Sequence, residues 1–478
     1  MKTYKNAVKI FFAISLMALI GIAGVLFVYD PLHIYHKSWF TKESRLHGNM
    51  RLQAAGIINN YNFDSIILGT SMMKGTSEEE ASEKLGGTFV NLSADGSSLY
   101  ERRAILGYAL KKKKLKHVIY SLDTGLDLNL LGDNRTLPLK DFEFLYDENP
   151  VNDLKAYWNQ KFLPCAVTLS TSTECFGPKR ELMRPSKTFP VVYEKNREIS
   201  GMDNWIYQKN GRGKKDYDRV KKHLNKTIKD EREYQEKLER TYKLIDSGII
   251  RFVKNNPDVS FHIVFPPYSR FMYSLWQQYD PLKYKLYKKT LEYMVESSTQ
   301  YNNLKVYILD DLPYIDDLNN YRDMRHYNTD MNSLILDYIK SDRRINSLSD
   351  LEKLTATLDK MNSKYPLSKE LDVLLDAYKF RFDFKQDYSD GKLSIRGWVL
   401  SNKVDKVELH LGKKVLASVT LKKNLTVAKA YPQYQQPRNS FYLRHKVSAK
   451  NKNLKLVFKY KNKVVKRVRV FNGRAKND

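Results

Sequence analysis

An α/β domain with a largely parallel sheet flanked by helices, preceded by a transmembrane helix and followed by an all-β sandwich, is the fold class this sequence predicts. Three observations carry that expectation. An uncharged apolar run from Ile10 to Tyr29 follows three lysines. Short apolar runs alternate with helical stretches from Ser65 onward. Beyond Phe380 the hydrophobic pattern changes to period two. At 478 residues the chain is too long for one typical domain, and 42% hydrophobic residues supply material for packed cores. The expected division is 1–30 cytoplasmic N-terminus and membrane anchor, 31–60 juxtamembrane helical linker, 61–345 main α/β domain, 346–377 helical linker and 378–474 sandwich.

The first element is the span. Lys2, Lys5 and Lys9 precede the apolar run and no acidic residue does. About 20 residues at 1.5 Å rise match a hydrocarbon core of roughly 30 Å. The positive-inside rule then leaves the N-terminus in the cytoplasm and exports the rest, anchored in the cell membrane by a single pass. A cleaved signal peptide is the rival reading, against which stand the length of the run and the lack of a clear small-x-small site. A helix is expected next, around Glu43 to Asn59.

The α/β domain opens with "SIILGTS", then a helical "EEEASEKLG", then "TFVNLSADGSS", a helix through "LYERRAILGYALKKKKL", and "HVIYSLD". Strand, helix, strand, helix, strand at this spacing makes a parallel sheet, whose functional groups gather at the carboxyl ends of the strands. Ser71, the Ser93–Ser98 loop and Asp123 all fall at such ends. From 124 to 213 the periodicity fades into a proline- and aromatic-rich insertion, expected to act as a lid. A long charged helix, the strand "VSFHIVF", a helix over Leu282–Ser298 and the strand "LKVYILDD" complete the domain. Two helices fill 346–377. In the last module, Ser389-Asp390-Gly391 and Leu411-Gly412-Lys413 separate alternating strands, the spacing of a sandwich.

The formal charge of +28, from 82 basic and 54 acidic residues, predicts attraction to polyanions. Export argues against nucleic acid and leaves anionic lipid or a charged surface polymer. Cys165 and Cys175, in an oxidising compartment, are expected to close a local disulfide, with two free thiols as the other reading. Neither their spacing nor any neighbouring histidine makes a metal site, and no cofactor is expected.

A serine hydroxyl becomes a nucleophile when a base takes its proton, and the base works best when a third group orients it. Ser71 follows an apolar run on Gly69; the plain alternative is a turn residue. Asp323 and His326 lie three apart in the polar loop "YRDMRHYN", close enough for the carboxylate to reach Nδ1–H and leave Nε2 free. Asp123 reads as a structural carboxylate, and Met72 and Met73 as core side chains.

"ILGTSMM" early and "YRDMRHYN" late resemble the SGNH/GDSL hydrolase superfamily. The nearest branch is the membrane-anchored, extracytoplasmic one used in surface-polymer acylation, which includes the teichoic-acid D-alanylation protein DltD and the alginate acetylation proteins AlgJ and AlgX. The resemblance implies Ser71 as nucleophile, His326 as base and Asp323 as orienting carboxylate. Gly96, in "NLSADGSS", stands where the superfamily has its second-block glycine, so its N–H and that of Ser71 are the expected oxyanion donors. The superfamily's Gly-x-Asn-Asp block is replaced here by "YSLDTGLD". The C-terminal "IRGWVLS" and "AKAYPQYQQPRNSFYLRH" resemble β-sandwich modules of bacterial envelope and glycan-related proteins. Trp398, Tyr431 and Tyr434 are therefore candidates for stacking on sugar rings, with a core role for Trp398 as the bland alternative.

The expected function is O-acyl transfer onto a cell-surface polysaccharide or teichoic-acid-like polymer. On family analogy, a polytopic membrane partner of the MBOAT type supplies the acyl group. The alternatives are an esterase or deacetylase using the same residues, and a non-catalytic polymer-binding scaffold of an acylation machine.

Overall fold

The computed structural model describes residues 2–41, 45–123, 141–179, 200–202, 205, 212–378, 381–389, 391–401, 404–423, 438–447, 454–460 and 462–470. It is a mixed α/β protein with an N-terminal apolar helix, a parallel five-stranded sheet and C-terminal antiparallel sheets.

Helix α1 runs Lys2–Tyr29, and its Tyr4–Tyr29 stretch is long and apolar enough to cross a membrane. It stops at Asp30-Pro31, as a chain must where proline cannot continue the hydrogen-bond ladder. Asp30 takes a positive φ of 29°, and its carboxylate accepts the backbone N–H groups of Ile34, Tyr35 and His36 at 2.8, 2.8 and 2.9 Å. Helix α2 is Met50–Asn60 and starts seven residues later than the expectation near Glu43. The reason is local: Asn49 is the cap and accepts from the Arg51 N–H, and Arg45 pairs instead with Lys179 as an isolated bridge. Residues Ala54, Ala55, Ile57 and Ile58 of α2 belong to the main core, so this part of the stretch expected as a linker is packed.

The sheet is built from β1 (Ser65–Leu68), β2 (Phe89–Asn91), β3 (His117–Ser121), β4 (Ser260–Phe265) and β5 (Leu304–Ile308), in spatial order β2-β1-β3-β4-β5 and parallel throughout. Helix α3 (Glu78–Leu85) joins β1 to β2, and α4 (Leu99–Lys112) joins β2 to β3. A capping box fixes the start of α4: the Ser98 hydroxyl accepts from the Glu101 N–H, and Glu101 returns the bond to the Ser98 N–H. All four residues of β1 are buried, which is why it reads as a continuous apolar run rather than an alternating one.

The insertion carries two 3₁₀ turns, Glu143–Tyr146 and Asn152–Tyr157, then α5 (Phe162–Val167) and α6 (Thr173–Phe176). The disulfide Cys165–Cys175 links α5 to α6. Helix α7 (Arg212–Leu224) leads to α8 (Glu231–Ile245), which passes through one π turn, Asp246–Ile250, into α9 (Arg251–Asn255). Beyond β4 come α10 (Arg270–Tyr279) and α11 (Pro281–Gln300), and beyond β5 comes α12 (Asp330–Lys340). Helices α13 (Leu348–Lys364) and α14 (Leu367–Tyr378) fill the second expected linker. Their Leu351, Leu367, Leu371 and Leu374 also join the main core.

The last module has β6 (Arg381–Ser389), β7 (Lys392–Leu400), β8 (Lys406–Leu411), β9 (Lys414–Thr420), β10 (Lys422–Lys423), β11 (Arg438–Lys446), β12 (Leu454–Tyr460) and β13 (Lys463–Arg469). They form two antiparallel four-stranded sheets, β10-β11-β7-β6 and β13-β12-β8-β9. Ile395 and Phe441 from one sheet and Val407, Leu456 and Phe458 from the other share one core, with the Phe441 and Phe458 rings 5.9 Å apart.

Candidate active site

In a strand order of 2-1-3-4-5 the chain passes from β1 to β2 on one side and then crosses back over β1 to β3 on the other, and the crevice at that switch point, beyond the carboxyl ends, is where such sheets bind ligands. The loop after β1 lies there. Gly69 is glycine for want of space: a Cβ would collide with Ser121 Oγ and lie 2.8 Å from Met73 Cγ. The Gly69 carbonyl accepts the Ala94 N–H and the Ser97 hydroxyl, each at 3.0 Å, tying the loop after β2 to the loop after β1.

Ser71 is held by what surrounds it. Thr70 Oγ1 donates to Asp123 Oδ2 at 3.0 Å. The Met72 carbonyl accepts the Tyr327 hydroxyl and Asn332 Nδ2, both at 2.9 Å. Asn91 Nδ2, at the end of β2, donates to the carbonyls of Met73 and Thr76 at 2.9 and 3.0 Å. Met72 and Met73 are buried beneath, as expected. Buried side chains thus hold the loop on both sides of Ser71.

The loop carrying the second motif crosses the same edge. Ser71 Oγ lies 2.8 Å from His326 Nε2. His326 Nδ1 lies 2.7 and 2.9 Å from the two Asp323 oxygens. Asp323 Oδ1 also accepts the backbone N–H groups of Arg325 and His326, at 2.9 Å each. The three residues expected to act together, 255 positions apart at the extremes, therefore form one continuous chain of hydrogen bonds. Burial by itself raises the Asp323 carboxyl. Its interaction with His326, through ring and backbone hydrogen bonds, and the Arg219 charge outweigh that and hold it well below the usual carboxylate range. An ionised carboxylate on Nδ1–H leaves Nε2 as the acceptor facing the serine.

Several neighbours escaped the sequence reading. Asp216 and Arg219 of α7 lie behind Asp323, with Arg219 Nη1 2.6 Å from Asp216 Oδ1. Burial first, and then the Asp323 charge, raise the Asp216 carboxyl. Tyr268 donates to Asp123, and the Arg325 guanidinium sits 5.6 Å from the Tyr268 ring centre. Arg325 stands inside the quoted motif and Tyr268 follows the Pro-Pro turn, so position hinted at both. Nothing local marks Asp216, which reaches the site only through the packing of α7. Residues from the end of the insertion also brace the histidine loop. The Gly201 N–H and Trp205 Nε1 donate to the Tyr321 carbonyl at 2.8 and 2.6 Å, and Ser200 Oγ donates to Asn328 Oδ1 at 2.8 Å.

Gly96 has φ of 61° in the turn before the Ser98 cap, the left-handed region glycine favours. Asp123 is buried with the Thr70 and Tyr268 hydroxyls on its two oxygens, the structural arrangement expected of it. Trp398 is half-buried on β7, where it pairs with Ser440 of β11 and Asp383 of β6. Tyr431 and Tyr434 lie outside the described residues. Among the described residues, no group of three or more histidine, cysteine, aspartate or glutamate side chains is placed to hold a metal. No protein-family model matches this chain, and no curated protein matches it.

Proposed function

We propose that this chain is a membrane-anchored, extracytoplasmic, serine-dependent O-acyltransferase of the SGNH kind. Its acceptor is a hydroxyl of a cell-surface polysaccharide or teichoic-acid-like polymer. The observation that supports this reading best is the hydrogen-bonded sequence Ser71 Oγ, His326 Nε2, His326 Nδ1, Asp323 at the switch point of a parallel sheet.

The chemistry follows from those contacts. Ser71 Oγ attacks the acyl carbonyl carbon while His326 Nε2 takes its proton, and Asp323 stabilises the imidazolium through Nδ1–H. The backbone N–H groups of Ser71 and Gly96 stabilise the oxyanion, each donor being worth about 3 kcal/mol. Collapse expels the donor's leaving group, which takes the proton from His326. The acceptor hydroxyl then loses its proton to His326 and attacks the acyl-Ser71 carbonyl, releasing the new ester and restoring the serine. Water in place of the sugar hydroxyl gives hydrolysis by the same steps. The formal charge of +28 suits an anionic acceptor, and on family analogy an MBOAT-type membrane protein delivers the acyl group.

The test is the full chain with an acetyl ester donor and the polymer. Wild type is expected to form an acyl-enzyme at Ser71, detectable as an acetyl mass shift on its peptide, and to pass it to polymer. Ser71→Ala is expected to lose both, with the fold intact and stability changed by no more than about 0.5 kcal/mol. Labelled acetate released without labelled polymer would replace transfer by hydrolysis. No acyl-enzyme, with polymer bound all the same, would replace catalysis by a scaffold role.

A further inference from the structure

We propose that a collar of exposed apolar side chains around the outer end of α1 lies in the lipid interface and seats the folded domain directly on the bilayer surface. This inference rests on the reading of α1 as a membrane anchor. The side chains are Trp39, Val151, Trp158, Val167 and Leu169, at 64%, 76%, 57%, 75% and 51% exposure. Scattered single exposures of this kind need no explanation, but a group does.

These five come from two stretches of chain far apart in sequence, and each is held beside the end of α1. Leu169 precedes Ser170, whose carbonyl accepts the Tyr29 hydroxyl. Val151 follows Pro150, whose carbonyl accepts the Tyr35 hydroxyl at 2.8 Å. Trp158 follows Tyr157, whose hydroxyl donates to Asp30 and accepts the Leu32 N–H, and the Trp158 indole also borders a cavity shared with Asn49, Tyr100 and Lys155. Trp39 stacks on His36 with ring centres 3.8 Å apart, and His36 Nε2 lies 2.8 Å from the Phe27 carbonyl. Val167 ends α5, which packs against α1. The collar is thus continuous with a helix whose own apolar side chains are exposed along its length, Phe11 at 66% and Ile20 at 63% among them.

What covers the helix therefore covers its rim. The composition favours the interface over the hydrocarbon: two tryptophans with exposed Lys37, Lys155 and Lys161 two or three positions from them in the chain. Indole rings settle at headgroup depth, and lysines keep their ammonium groups in water or on phosphates. The disulfide gains a role here, since Cys165–Cys175 closes the segment that carries Val167 and Leu169 and holds that tip in shape. Close packing locks the rim to the main core. Gln53 Nε2 and Asn60 Nδ2 of α2 donate to the Leu32 and His33 carbonyls at 2.7 Å each, and Gly56 leaves no room for a Cβ against them. A rim fixed to both α1 and the core sets the height and tilt of the Ser71 crevice above the membrane.

The test uses the full chain in phosphatidylcholine–phosphatidylglycerol vesicles, with a nitroxide on Trp39→Cys, Val151→Cys or Leu169→Cys and a control on Glu352→Cys. Collision rates with oxygen and with a water-soluble nickel chelate report depth. The collar labels are expected to favour oxygen over nickel several-fold more than the control does. Brominated lipid is also expected to quench the tryptophan fluorescence of wild type more than that of the Trp39→Phe, Trp158→Phe double variant. Collar labels as open to nickel as the control, on protein that floats with the vesicles, would overturn the collar and leave the anchor standing. Labels shielded from both reagents would also overturn it, by pointing to a protein surface in place of lipid. Protein that does not float with vesicles would remove the anchor and the collar together.

Discussion

Two histidines among the described residues bond an aspartate, and they differ in what their second nitrogen meets. His326 Nδ1 lies 2.7 Å from Asp323, and its Nε2 faces the Ser71 hydroxyl at 2.8 Å. His223 Nδ1 lies 2.8 Å from Asp280, almost the same bond, but its Nε2 is met by the Trp276 Nε1–H at 3.2 Å. The His326 side chain is 22% exposed and that of His223 4%. One pair therefore opens toward a hydroxyl and solvent; the other is closed by an indole and serves to pack α7 against α10 and α11. A histidine–carboxylate pair becomes a general base through its free nitrogen. The pair by itself says little.

The largest effect should separate the two histidines outright. His326→Ala is expected to lower turnover of a simple acetyl ester by on the order of 10⁶, as when a member of a catalytic unit is removed. Combined with Ser71→Ala it should cost nothing further. His223→Ala should leave the rate per folded molecule within about tenfold and lower the melting temperature, because the Asp280 carboxylate and the Trp276 N–H lose a buried partner. Equal loss of rate from both would erase the distinction drawn above.

Replacing the carboxylates sharpens it. Asp323→Asn is expected to lower the rate by about 10⁴ with little change in fold, since an amide favours the wrong imidazole tautomer. Asp280→Asn should act on stability, by about 1–3 kcal/mol, read from denaturant unfolding.

Acid should act on the closed pair through stability. Burial first, with help from the Lys283 and Arg325 charges, holds His223 below its ordinary value against the pull of Asp280. Burial alone would raise Asp280, but hydrogen bonds from His223 and Thr227 outweigh it and hold the carboxyl low. Both groups bind protons more readily in the unfolded chain. Their contribution is present above about pH 6.5, the ordinary histidine value, and declines as the pH falls toward their folded values. The melting-temperature gap between wild type and His223→Phe is therefore expected to narrow from pH 7.5 to 5. A gap that widens on acidification would contradict the buried, neutral His223.

The smallest effect concerns the frame around Ser71. Tyr327→Phe removes one of two donors on the Met72 carbonyl and is expected to cost about 1 kcal/mol of stability. A modest fall in rate should accompany it, with KM little changed.

Much of this was legible in the chain. Continuous apolar runs such as Ile66–Leu68, bounded by glycine and separated by helical periods, mark a buried parallel sheet because both faces are covered. The two motifs, their order and the family they resemble together suggest pairing Ser71 with His326, and the structure places them 2.8 Å apart. The start of α2 was misread because the helical period does not show where a cap sits, and Asn49 overrides it. The stretches expected as linkers supply Ile57, Ile58, Leu351 and Leu371 to the core, because the sequence of a helix does not say which elements will cover its apolar face.

Local chemistry, then, determined the apolar span, the alternation of strands and helices, the period-two module and the residue types at the strand ends. Tertiary structure alone decided the strand order that puts the loops after β1 and β3 at a switch point, and which histidine kept a nitrogen free for a hydroxyl. It also brought Asp216 and Arg219 behind Asp323 and gathered Trp39, Val151 and Leu169 around the end of α1. The physical reason is range. Propensity, capping and hydrophobic period act over a few residues, whereas these arrangements depend on contacts between segments far apart in the chain, 53 positions for His223 and Trp276 and 255 for Ser71 and His326, formed only once the core has packed.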